Sequence, residues 1–274
     1  MTESRVMYES HMHTPLCKHS KGEPEEFAQV AWERGLAGIT VTCHNPLPNN
    51  HSISVRMRED QWPEYVALVD RARAAWAGRI DVRLGLECDY FPGIEAYLEK
   101  QIGGTGFSHV LGSVHSQTRE YLAVYGQGDA LSIQRYYFEH LALAAETKLF
   151  DTISHPDLVK NQTSKEWDLQ RIWPDILRTL DRIAKSGVAM ELNTSGVFKT
   201  IPEMNPGPEI LRAMCERGIP AVIGADAHEP RRCGDRFIEA LGILEAAGYH
   251  KVSFFVERKR RDVEIGTARV SLKF

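Results

Sequence analysis

VMYESHMH at residues 6–13 is a short apolar run that closes on two histidines, and six later segments repeat its design. They are AGITVTCH at 37–44, DVRLGLECDY at 81–90, HVLGSVH at 109–115, DTISHPD at 151–157, AMELNTSG at 189–196 and PAVIGADAH at 220–228. Each is apolar or β-branched over a strand's length and then turns polar. Between them lie stretches of helical periodicity. In PEEFAQVAWERG at 24–35, Phe27, Val30, Ala31 and Trp32 carry the apolar spacing of a helix. RIWPDILRTLDRIAKSG, PEILRAMCERG and RFIEALGILEAAG read the same way, each closing on a glycine suited to a helix C-cap. Pro174 is expected in the first turn of its helix. Seven strand–helix units in series imply a parallel sheet, and at 274 residues a closed or nearly closed barrel. KVSFFVER at 251–258 is expected to form a last strand beyond the seventh helix. With no low-complexity or Pro/Gly/Ser linker, residues 1–274 read as one domain.

The chemistry sits where these runs end. Alternation along the first strand puts His11 and His13 on one face, and His19 follows in the loop. The next strands end at His44, Glu87, His115 and His155. The sixth ends in Asn193-Thr194-Ser195-Gly196 and the seventh in Asp226-Ala227-His228. In a parallel barrel these ends share one rim. A lone HxH can be a pair of satisfied strand-end histidines, and one glutamate in LGLECDY can be an edge residue. Six of seven strand ends carrying a ligand type is a poor fit to coincidence. So many ionisable groups in one pocket are costly unless a cation holds them. Imidazole and carboxylate without thiolate suit Zn, Mn or Fe, and the nine candidates suffice for two to three divalent cations. Cys43 and Cys88 adjoin His44 and Glu87, so alternation turns them to the opposite face as packing residues. His51, His109, His140 and His250 lack this placement and read as ordinary surface or helix residues.

Other classes are disfavoured by composition. A net charge of -4 argues against a globally basic nucleic-acid surface, and the dense run Arg258-Lys259-Arg260-Arg261 reads as solvated surface past the barrel. No apolar stretch approaches the roughly 20 residues that span a bilayer, and the N-terminus lacks a signal-peptide pattern. Five cysteines without CxxC spacing argue against a disulfide framework, so a reducing cytoplasm is expected.

HMH, TCH, LGLE, GSVH, SHPD, ELNTSG and GADAH, in this order, resemble the polymerase and histidinol phosphatase (PHP) superfamily. The resemblance runs from His11 to about Phe255 and is nearest to the histidinol-phosphate phosphatase branch. HTPLCKH at 13–19, NPLP at 45–48, Asp89-Tyr90 and NTSG at 193–196 point to that branch. It implies a distorted (β/α)7 barrel with a trinuclear metal centre at the C-terminal rim of the strands. It assigns His11, His13, Glu87 and Asp226 to a first metal, Glu87, His115 and His155 to a second, and His19, His44 and His228 to a third. Cys43 departs from the pattern, since relatives often place an acidic residue there. The implied activity is metal-dependent hydrolysis of a small phosphomonoester, L-histidinol phosphate, with Glu87, Asp226 and His228 as catalytic residues. Lys160, Asn193, Ser195 and Lys199 lie just past strand ends as substrate-binding candidates, and Asp157 belongs to the same loops. The alternatives are a PHP-type nuclease or nucleotide phosphoesterase and a non-catalytic metal-binding module.

Overall fold

The computed structural model describes residues 5–273. In chain order the elements are β1 (Tyr8–Glu9), α1 (Pro24–Glu33), β2 (Gly38–Val41), α2 (Trp62–Ala75), β3 (Asp81–Asp89), α3 (Glu95–Gly103) and β4 (His109–Ser113). Then follow α4 (Arg119–Tyr125), α5 (Ala130–Glu146), β5 (Thr152–Ile153), α6 (Val159–Gln162), α7 (Leu169–Ser186) and β6 (Ala189–Asn193). The chain continues through α8 (Pro208–Glu216), β7 (Ala221–Gly224), α9 (Phe237–Ala246), β8 (Lys251–Val256), β9 (Lys259–Glu264) and α10 (Ile265–Ser271).

Local chemistry sets these boundaries. A capping box between Glu23 and Glu26, with Pro24 in the first turn, starts α1. Gly35, Gly187, Gly218 and Gly248 all adopt positive φ where helices stop, which a Cβ would disfavour. The helix around Pro174 begins earlier than expected, at Leu169. Asp168 caps it by accepting from the amides of Gln170 and Arg171, and that cap outweighs the stop that Pro174 suggests.

The strands follow sequence order, β1-β2-β3-β4-β5-β6-β7-β8-β9, parallel through β8 and antiparallel between β8 and β9. No ladder joins the outer strands among the described residues, so the sheet is unclosed. One bridge, Met12 with Ala227, spans the gap at the C-terminal rim. There the His13 amide donates to the Ala227 carbonyl (2.9 Å) and the Ala227 amide to the His11 carbonyl (3.1 Å). The buried Glu9 carboxylate reinforces this seam, accepting from the amides of His11, Ala225 and Gly234. Among the described residues, no helix is long and apolar enough to cross a membrane.

Lys259, Arg260 and Arg261 of the basic run are exposed past the barrel as expected, whereas Arg258 is not. Lys259, Arg260 and Arg261 open β9, and Glu257 and Arg258 form a two-residue turn with both φ positive. Arg258 folds under the barrel, donating to the Leu149 carbonyl and pairing with Asp151. Its amide bonds the Ser108 carbonyl, and Phe255 stacks on His109 at a centroid distance of 5.0 Å. The hairpin therefore covers the starts of β4 and β5, opposite the candidate site. His109 is consequently a buried strand residue and not a surface one. His140 is on a helix as expected, but buried, with Nδ1 2.7 Å from the Tyr121 hydroxyl.

Candidate metal centre

Glu87 lies inside β3, while the histidines lie just past strand ends: His11 and His13 after β1, His44 after β2, His115 after β4 and His155 after β5. Its two oxygens face different partners. Oε2 lies 3.4 Å from His11 Nε2, 3.5 Å from His13 Nε2 and 2.8 Å from His44 Nδ1. Oε1 lies 3.0 Å from His155 Nε2 and 3.6 Å from His115 Nε2. Asp226, after β7, adds an oxygen 3.1 Å from His13 Nε2 and 3.7 Å from His11 Nε2. His228 and His19 close the outer side, their Nε2 atoms 2.9 Å apart. All nine predicted ligands are thus gathered in one basin. His44 differs in detail, because its Nδ1 points at Glu87 while its ring remains beside His19 and His228.

Three acids to which sequence reading gave no role in the site hold this arrangement. Glu191 on β6 takes His11 Nδ1 at 2.7 Å and also accepts from the His155 amide. Asp89 takes His115 Nδ1 at 2.7 Å, and the buried Arg56 donates to Asp89. Such carboxylates fix the imidazole tautomer and turn Nε2 toward a ligand site. The third is Glu9 at the seam. Each sits two residues from a flagged position (Glu9 before His11, Asp89 after Glu87, Glu191 before Asn193), so alternation was the available signal.

Backbone geometry at the ligands is unusual as well. His155 and Asp226 have φ of 27° and 48°, a region that non-glycine residues seldom occupy. Hydrogen bonds from the His155 amide to Glu191 and from the Tyr137 hydroxyl to the His155 carbonyl hold the former in place. Such backbone clusters at functional sites.

The electrostatics call for a cation. Burial alone would raise the Glu87 carboxyl, but His44, His11 and His115 hold it well below the ordinary carboxylate value. Asp226, raised by burial, is pulled well below it by His11 and His13. Against the effect of burial, Glu191 and Glu87 raise His11 well above its usual value, and Asp226 and Cys43 raise His13 to about 9. Burial and His13 push His228 down to about 2, and burial leads the fall of His44 to about 4. Protons on His11 and His13 thus answer the two buried carboxylates, a role open to a divalent ion. His11 Nε2, His44 Nδ1 and Glu87 Oε2 are buried without a hydrogen-bond partner, which a metal would resolve. The donor set fits such an ion.

The other expected residues divide. Lys199 lines the basin, as does Arg119, which was not foreseen. Lys160 does not reach the basin: its ammonium is buried against Asp157 (2.7 Å), Glu203 (2.9 Å) and the Met204 carbonyl. A buried cation needs such partners, and Asp157 is engaged with it. Asn193 and Ser195 are buried beneath Asp226, donating to Oδ2 at 3.4 and 3.2 Å. Cys43 is not turned away from the site, since its Sγ accepts from Thr14 and groups with His13 and Cys17. β2 stops at Val41, so strand alternation no longer governs Cys43.

The PHP domain profile matches residues 9–195. A Deinococcus radiodurans protein named "Probable histidinol-phosphatase" is 40% identical over 255 residues, spanning 90% of this chain and 95% of that protein. A Bacillus subtilis histidinol-phosphatase is 23% identical over 249 residues, spanning 81% and 93%. A Lactococcus lactis histidinol phosphate phosphatase, solved with zinc, L-histidinol and phosphate, superposes with a TM-score of 0.78. It is 20% identical, over 93% of this chain and 98% of that one.

Proposed function

This chain belongs to the PHP domain family, and on that premise we propose that it is a metal-dependent phosphatase hydrolysing L-histidinol phosphate to L-histidinol and phosphate. The observation that carries the reaction class is Glu87, whose two oxygens face two separate histidine sets. The choice of substrate rests on the 40% identical relative and its name.

His11, His13, Glu87 and Asp226 would hold a first ion, Glu87, His115 and His155 a second, and His19, His44 and His228 a third. Bound zinc, manganese or iron would supply Lewis acidity, easing deprotonation of water near neutral pH and neutralising phosphoryl charge. Glu191 and Asp89 keep His11 and His115 in the Nδ1–H tautomer. Asn193 and Ser195 orient Asp226. His228, whose Nε2 faces His19 Nε2, is assigned to ligation. Arg119 and Lys199 offer cations to phosphate oxygens at the basin wall. Residues 1–274 are read as one domain, supported by a contiguous core from Met7 to Leu272. Five free cysteines support a cytoplasmic setting.

The test compares kcat/KM for L-histidinol phosphate, nucleoside monophosphates and short oligonucleotides under one metal condition. L-histidinol phosphate should lead. A preference for oligonucleotides would overturn the reading in favour of a nuclease.

A further inference from the structure

Beyond His115 the basin opens into a second cavity of about 230 Å³. The two share Ser52, His115, Thr118 and Glu120 as their common wall. The second cavity is built by the loops after β2 and β3 and by α4. Its lining includes Leu47, Tyr90, Phe91, Tyr121, Val124 and Tyr125. Two of the phenol groups are already engaged, Tyr90 with Glu95 (2.8 Å) and Tyr121 with His140 (2.7 Å). Those side chains therefore have their hydroxyls satisfied and leave largely carbon surface to an occupant, suited to a flat ring.

Charge is distributed unevenly across the two spaces. Arg119 and Lys199 are on the basin, beside the candidate metal ligands. At the threshold stands the Glu120 carboxylate, which accepts from the Ser52 amide (3.0 Å) and hydroxyl (2.7 Å). None of the ion pairs among the described residues includes Glu120. Asp89, the other acid here, is occupied by Arg56 and His115. The molecule that suits this layout carries a phosphate at one end, a cation a short way along and a flat ring at the other end.

Resting on the reading of the chain as a histidinol-phosphate phosphatase, we propose that this aromatic annex is its specificity subsite. Glu120 takes the substrate ammonium at the threshold, and the annex encloses the imidazole. The order matches the covalent structure of L-histidinol phosphate. Its ammonium is on the carbon next to the ester methylene, and its ring lies one methylene further on. This places selectivity on the loops after β2, β3 and β4, away from the loops after β5 and β6, where Asp157 and Asn193 are committed to internal contacts. It also gives His51 a place, on the annex wall.

The test measures phosphate release by metal-loaded enzyme from L-histidinol phosphate, its deamino analogue imidazolylpropyl phosphate, and propyl phosphate. Glu120→Gln should lower the kcat/KM ratio of L-histidinol phosphate to the deamino analogue roughly tenfold or more, mainly through KM. Val124→Trp fills the annex from a side chain that is 64% exposed, so folding is spared. It should lower the ratio of either imidazole substrate to propyl phosphate. Calorimetric titration with L-histidinol should weaken in both variants. If wild type prefers L-histidinol phosphate and neither variant changes the ratios or the titration, the annex assignment alone is wrong. If wild type shows no preference over propyl phosphate, the substrate reading falls and the annex with it.

Discussion

Glu87 is one carboxylate placed between two histidine sets, with each oxygen on a different one. Replacing it by alanine removes the only proposed ligand common to two ions. Glu87→Ala should therefore lose most bound metal by elemental analysis and at least roughly a hundredfold in turnover. Full metal with a near wild-type rate would refute its bridging role. Glu191 touches no proposed ion and acts through His11, so Glu191→Ala should weaken metal affinity about 10–100-fold, read by competition with a chelating dye. The ligands were legible because histidines and carboxylates at successive strand ends form a pattern that packing alone does not require. Their supporting acids were not, because a single acid inside a strand looks like any half-buried strand residue. Lys160 was misjudged for the converse reason. Its position past a strand end suited a substrate contact, but nothing local in sequence revealed that Glu203 would come from 43 residues away to help bury it.

At the scale of elements, the glycine stops and period-2 strands were readable, whereas β9 was not. Two-residue hairpins are ordinarily announced by Asn-Gly or Asp-Gly, and here Glu257 and Arg258 occupy the two positive-φ positions. Contacts from Ser108, Leu149 and Asp151 hold a turn that the residues themselves would not favour. The hairpin also seals His109, which burial depresses to about 3. An unfolded histidine titrates near 6.5. Above that pH both states keep His109 neutral, and its contribution is complete. As pH falls, the unfolded chain takes up a proton that the folded one refuses, so stability is lost progressively toward pH 3. The linkage amounts to about 2 kcal/mol between pH 6.5 and 5. Urea midpoints of wild type and His109→Phe across that range should converge as the pH is lowered. Parallel curves would show that His109 does not titrate on unfolding.

Across the whole molecule the weak line is the seam between β1 and β7, where one backbone bridge, Glu9 and the Ser20 and Lys21 hydrogen bonds to the His228 carbonyl stand in for a ladder. His11 and His13 stand on one side of it and Asp226 on the other. Groups that would share an ion thus lie across the gap that backbone pairing leaves unclosed. Metal occupancy should then be worth more than its effect on catalysis. An ion present at a hundred times its dissociation constant stabilises the folded state by about 2.7 kcal/mol. For a chain of this size that corresponds to roughly 5–10 °C in Tm. Protein purified without chelator should contain two to three first-row metals per chain, and stripping them should lower Tm by at least that amount. The loss should also be local. Amide exchange at His13 and Ala227, which bond across the seam, should accelerate on chelation more than exchange at Leu86, inside β3 where it pairs with β4. Equal acceleration at both places would mean that the ions stabilise the fold without tying its edges together. No acceleration at the seam, with metal loss verified, would mean that protein contacts alone hold β1 to β7.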